Sequence, residues 1–152
     1  MQQHNVFMQL ALSLAESAAA YDEVPVGALL VDSQQRIISS AFNLKERNSC
    51  PTQHAEILAI ESACKKLKSW RLLNCQLYVT LEPCLMCAGA ISQARIEKVI
   101  YAASDPKAGA LGSLYQVHQD KRLNHQFEVM PGVFAAEAGQ LLSQFFRNKR
   151  RN

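Results

Sequence analysis

The chain has 152 residues, of which 49% are hydrophobic and 19% charged, and a formal net charge of +3. This suits one globular domain with a buried core. The small charge permits a nucleic-acid partner without demanding one. No run of about 18 apolar residues exists to span a membrane. The five cysteines, an odd set, exclude a disulfide framework. A reducing compartment, most simply the cytoplasm, is the expected setting.

Residues 4–20 put Phe7, Met8, Leu10, Ala11, Leu14 and Ala18 on one stripe and predict an amphipathic helix. Gln9, Ser13, Glu16 and Ser17 interrupt the apolar residues, so the segment does not read as a secretory signal. Glu23–Ala28 leads into Leu29-Leu30-Val31, a short apolar run read as a buried strand. Asp32–Gln35 is a turn, and Arg36–Ser40 returns as the second strand of a hairpin. Asn43–Thr52 is polar and reads as an ordered loop. A second helix is expected from about Gln53 to near Leu67, with Ile57, Ile60, Cys64 and Leu67 as its buried face. Gln76–Leu81 alternates as a strand does. Residues 84–94 form the helix after Pro83, a residue tolerated at a first helical turn. Lys98–Ala103 is another strand, Ser104–Ser113 a glycine-bearing loop, and Ala135 to about Arg147 a final helix. Strands separated by single helices imply one α/β layered domain over residues 1–152, ending in a basic tail at about 147–152.

Pro83-Cys84-Leu85-Met86-Cys87 sets two thiols at i and i+3 on one helix face. The helix start adds partial positive charge that favours the thiolate a metal needs. Alone, this spacing fits a metal site, a redox pair or two buried structural cysteines. His54-Ala55-Glu56, thirty residues upstream, decides for metal. His54, Cys84 and Cys87 give three ligands for one Zn2+ per chain and leave the fourth position to water, as in catalytic rather than structural zinc sites. Cys50, Cys64, Cys75, His118 and His125 lack ligand spacing to a partner, and His4 is expected to be solvated near the terminus. Glu56 stands about 200° from His54 on an ideal helix, so the two converge only across a helix N-terminus. A carboxylate near an open zinc site but not bound to it suits a proton shuttle.

His54-x-Glu56 with Pro83-Cys84-x-x-Cys87 is the signature of the zinc-dependent nucleobase deaminases. It does not choose among cytosine, guanine and adenine. Nearly the whole chain, however, resembles the bacterial tRNA-specific adenosine deaminase family, whose members convert the anticodon wobble adenosine to inosine. The resemblance runs through Glu23–Ala28, Phe42-Asn43, His54–Glu56, Leu77–Ala90, Asp105–Ser113, Leu123–His125 and Phe145–Arg147. The loop departs from one common family form at Pro106 and Leu111.

The resemblance implies a three-layer α/β/α fold with a central mixed sheet of about five strands flanked by helices. It also implies a homodimer acting on the tRNA anticodon arm. By the same resemblance Asn43 hydrogen-bonds the flipped base, Val26 forms part of an apolar wall, and Asp105 contacts the nucleotide. Lys107 in the loop, and Arg147, Lys149, Arg150 and Arg151 at the end, are candidate phosphate contacts. The terminal cations read equally as a solubilising helix end that complements the helix dipole. Two other functions compete. A deaminase of free guanine or cytosine would need no phosphate-binding extension, and a non-catalytic zinc-stabilised RNA-binding module would have no use for Glu56.

Overall fold

A computed structural model describes residues 2–151. Met1, and Asn152 at the end of the expected tail, lie outside the described residues. The chain runs α1 (Gln2–Ala20), β1 (Gly27–Val31), β2 (Ile37–Phe42), α2 (Ala55–Leu67), β3 (Gln76–Leu81), α3 (Leu85–Gln93), β4 (Lys98–Ala103), a 3-10 turn at Val117–Gln119, β5 (Glu128–Met130) and α4 (Ala135–Arg151). The strands form one sheet in the order β2-β1-β3-β4-β5. β1 is antiparallel to both β2 and β3, so β2 and β3 point the same way, while β4 and β5 follow β3 in parallel. The helix that follows β2 and the helix that follows β3 therefore both begin at the same end of the sheet.

Side-chain alternation along the strands feeds two cores. Leu29, Val31, Tyr78 and Ile100 cluster with Phe7, Met8 and Ala11 of α1 and Ala138 of α4. Leu30, Leu77, Val79 and Val99 cluster with Ala59 and Ala63 of α2 and Ala88 and Ile91 of α3. Helices thus cover both faces of a mixed five-stranded sheet, the three-layer arrangement expected. β1 is buried along its whole length, as a strand covered on both faces must be. Burying a side chain such as Leu77 contributes about 1.5–3 kcal/mol. Leu77→Ala would cost about 2–5 kcal/mol, because the cavity it leaves refills only partly. Gly27 is where α1 comes closest to the sheet, since a Cβ there would overlap the Ala11 carbonyl and the Ala15 amide.

β3 and β4 have the expected bounds, but four expectations need correction. The buried face of α2 is Ala55, Ala59, Ile60 and Ala63, and Leu67 is 47% exposed. Alanines let this helix lie close on the sheet, where the Ser39 hydroxyl donates to the Ala59 carbonyl at 2.7 Å. His4 is buried rather than solvated, and its Nδ1 shares a 2.6 Å hydrogen bond with the Tyr78 hydroxyl. Pro83 precedes the N-cap residue Cys84 and is not in the first turn of α3. Finally, α4 continues to Arg151, so the basic residues from Arg147 form its last turns and not a tail beyond it. Among the described residues no helix is long and apolar enough to cross a membrane.

Candidate active site

His54 is the N-cap of α2 and Cys84 the N-cap of α3, both in extended backbone conformation. An N-cap side chain commonly turns back to bond the helix amides, but neither of these does. Asn43 takes over for α2, its Oδ1 accepting the Ala55 amide at 2.7 Å. The imidazole is thereby free to meet the Cys84 thiol. His54 Nδ1 lies 3.7 Å from Cys84 Sγ and 3.5 Å from Cys87 Sγ. All three donor atoms fall within 4.8 Å of one another, and no fourth residue joins the group among the described residues.

These spacings test the fit to zinc. With Zn–N of about 2.0–2.1 Å and Zn–S of about 2.3 Å, a tetrahedral site has an N···S edge of about 3.6 Å. The donor set and both measured edges fit. The three donors share protons among themselves, and zinc would displace those of Cys87 and His54 on binding. The Cys87 thiol hydrogen-bonds Cys84 and, despite burial, holds its pKa down to about 4, with His54 adding to the effect. The same bond, together with burial, pushes Cys87 up. The bond to Cys84 also raises His54.

Glu56, two residues after His54, is buried in the first turn of α2 and lines the same cavity as His54 and Cys84. Burial pushes its carboxyl up to about 7, against the backbone hydrogen bond and the His54 charge that both favour the anion. A carboxyl that changes protonation near neutrality can both take and give a proton.

The cavity above this floor holds about 820 Å³. Val26, Asn43, Asp105 and Lys149 line it; Lys107, Arg147 and Arg150 do not. Asn43 Nδ2 donates to the Val24 carbonyl at 3.2 Å, which leaves one amide hydrogen spare. Asp105 Oδ1 accepts the amides of Lys107 and Ala108 at 3.1 and 3.2 Å, folding its own turn. Lys149 Nζ bonds Asp22 at 2.6 Å, and Arg147 bonds Gln144 on the same helix. His118 packs against Phe127, and His125 Nε2 bonds the Ile96 carbonyl at 2.7 Å, so neither joins the metal group.

Sequence reasoning missed the outer wall. Tyr21, Lys45, Arg47 and Phe146 also line the cavity. The Arg47 guanidinium sits 4.5 Å from the Tyr21 ring centroid, and Tyr21 stacks on Phe42 at 5.7 Å. The ending Phe145–Arg147, a part of the family resemblance, is the signal in the sequence that points to this wall.

A mixed sheet with His and Cys-x-x-Cys at two helix starts defines a zinc deaminase domain. Residues 1–103 match the model of the cytidine and deoxycytidylate deaminase zinc-binding region. The tRNA-specific adenosine deaminase of Haemophilus influenzae is 50% identical over 143 residues, 94% of this chain and 83% of that protein. A solved structure from studies of A-to-I editing by tRNA:A34 deaminases at the wobble position of transfer RNA superposes with a TM-score of 0.86 at 44% identity, covering 90% of this chain and 98% of that one. A guanine deaminase of Bacillus subtilis is 40% identical with a TM-score of 0.66, over 72% of this chain and 70% of its own. The chain belongs to the tRNA-specific adenosine deaminase family.

Proposed function

We propose that this protein hydrolyses the wobble adenosine of a tRNA anticodon to inosine, releasing ammonia. The observation that carries the reading is Glu56, buried in the cavity beside His54, Cys84 and Cys87, in a chain similar to the H. influenzae enzyme over 94% of its length. His54, Cys84 and Cys87 would hold Zn2+, which supplies a water acidified from a pKa of about 15.7 towards about 7. Glu56 takes a proton from the attacking water and passes it to a ring nitrogen. It then delivers a proton to the departing amino group, so that water and adenosine become inosine and ammonia. Asn43 orients the base with its spare amide hydrogen, Val26 packs on it, and Asp105 contacts the nucleotide. A loop is the RNA element from which a base leaves its stack most cheaply, which suits a pocket this deep.

Lys149, Lys107, Arg147 and Arg150 serve the RNA phosphates in this reading, helped by Lys45 and Arg47 at the mouth. The chain is read as one domain, working in the cytoplasm as a homodimer. A groove beside α3, lined by the exposed Leu85, Tyr115 and Leu123, is consistent with a second copy there. The deciding experiment measures ammonia release from an anticodon stem-loop, adenosine, guanine and cytosine side by side. Turnover of guanine or cytosine in preference to the stem-loop would sink the tRNA reading.

A further inference from the structure

Besides Glu56, two carboxylates lie inside the molecule without an ion-pair partner among the described residues. Glu23 is 1% exposed and Glu82 2%, and neither is within salt-bridge distance of a cation. A buried charge of this kind persists only where hydrogen bonds replace its water. Here the replacements come from two loops. Glu23 Oε1 accepts the Glu46 amide at 3.0 Å, and its Oε2 accepts the Arg47 amide at 2.7 Å. Glu82 Oε1 accepts the Asp105 amide at 3.0 Å and the Ser113 hydroxyl. Its Oε2 accepts the amides of Leu111 and Ser113, both at 3.0 Å. Gly109 belongs to the same device, because a Cβ there would overlap the Glu82 carboxylate.

Both carboxylates line the cavity, and the loops they hold carry part of its polar lining: Asn43, Lys45 and Arg47 on one, Asp105 on the other. Apart from the isolated Cys84–Gly109 and Leu111–Gln116 bridges and single backbone bonds such as Ala110 to Pro83 and Leu44 to Gln53, no sheet ladder fixes either loop among the described residues. A carboxylate that gathers several amides does that work locally, with charge-assisted bonds that are stronger than neutral ones. Loops fixed beforehand spare the ordering cost that binding would otherwise carry.

We propose that Glu23 and Glu82 are a pair of positioning residues, each clamping one substrate-contacting loop, which together set the width of the pocket for its nucleotide. The proposal rests on the deaminase reading above. Neither residue touches the reacting atoms in it. They act through the backbone of residues 46–47 and 105–113.

Glu23→Gln and Glu82→Gln preserve shape but turn one acceptor oxygen into a donor facing amide hydrogens. Each variant is compared with wild type for zinc content, for KM and kcat on an anticodon stem-loop, and for amide hydrogen exchange. Zinc is expected to stay at wild-type content. Exchange should rise in residues 44–48 for Glu23→Gln only, and in residues 105–113 for Glu82→Gln only. KM should rise about tenfold, the equivalent of one lost charge-assisted bond, with kcat changing far less. A purely structural role would instead lower the active fraction, so that kcat falls at constant KM; that pattern, or unchanged exchange in the two loops, overturns the proposal. Should Glu82→Gln fail to fold, Ser113→Ala removes a single donor from the same clamp and must show the same loop exchange and a smaller rise in KM. If wild type makes no inosine, the functional reading falls by itself. Loop exchange still judges the clamps, and KM is then compared on whichever base wild type deaminates.

Discussion

The floor and the mouth of the pocket are built on different terms. On the floor, His54, Glu56, Cys84 and Cys87 stand at the starts of two helices that begin at one end of the sheet because β2 and β3 both run antiparallel to β1. Backbone geometry delivers those side chains, and burial tunes them. The mouth draws on chain segments far apart in sequence, around Tyr21, Arg47 and Lys149, joined by exposed contacts such as Lys149 to Asp22 and Arg47 over Tyr21. Exposed ion pairs of this sort are worth little in water. The floor and the loop backbones held by Glu23 and Glu82 are therefore the fixed part of the pocket, and the exposed side chains of the mouth are its adjustable part.

The comparison breaks if floor variants behave like mouth variants. Cys84→Ala has the largest expected effect: zinc, about one per chain in wild type, should be lost together with all turnover, as metal analysis and a deamination assay on one sample will show. Glu56→Gln comes next. Single-turnover deamination should fall by at least about 10² to 10⁴ while zinc content and stem-loop affinity hold. Loss of zinc from that variant would instead place Glu56 in the metal shell. Neutralising Arg147, Lys149 and Arg150 together should leave single-turnover chemistry on bound RNA nearly untouched. It should weaken binding and flatten its salt dependence by a slope of about 1 for each phosphate no longer neutralised. An unchanged slope returns these cations to a solubilising role.

The smallest effect separates the acid response of the fold from that of the pocket. Burial, with Lys98 contributing, lowers the pKa of His4 below its usual 6.5. The unfolded chain therefore takes up the proton more readily. The contribution of neutral His4 is complete above about pH 6.5 and is lost as pH falls from there towards the folded value. Urea unfolding at pH 7 and pH 5 should show wild type losing more stability on acidification than His4→Gln, with deamination by the two proteins equal at pH 7.

How far the sequence could be read follows the same division. The floor was legible because metal ligands are rare residue types at fixed spacing, and a helix start makes that spacing meaningful. β3 was legible because Leu77, Val79 and Leu81 alternate with Tyr78 and Thr80, and β4 because Val99–Ala103 is an apolar run of strand length. β5 was not identified along the chain, because three residues carry no periodicity and its register is borrowed from β4. The face of α2 misled because its large residues, Ile57 and Leu67, lie beside the contact while alanines make it. Tyr21, Lys45 and Arg47 are ordinary surface types. Only the fold, which brings residue 149 against residue 22, gives them a place at the mouth.

The order of the chain adds a consequence in time. His54, Glu56, Cys84 and Cys87 all precede residue 103, whereas α4, which supplies Phe146 and Lys149 to the mouth, follows it. At roughly 5–20 residues per second, the ribosome needs several seconds to travel from the end of β4 to the end of α4. During that interval the donors have been synthesised and the last wall has not. The part of the chain that would bind the ion is thus complete in sequence before the segment that finishes the entrance.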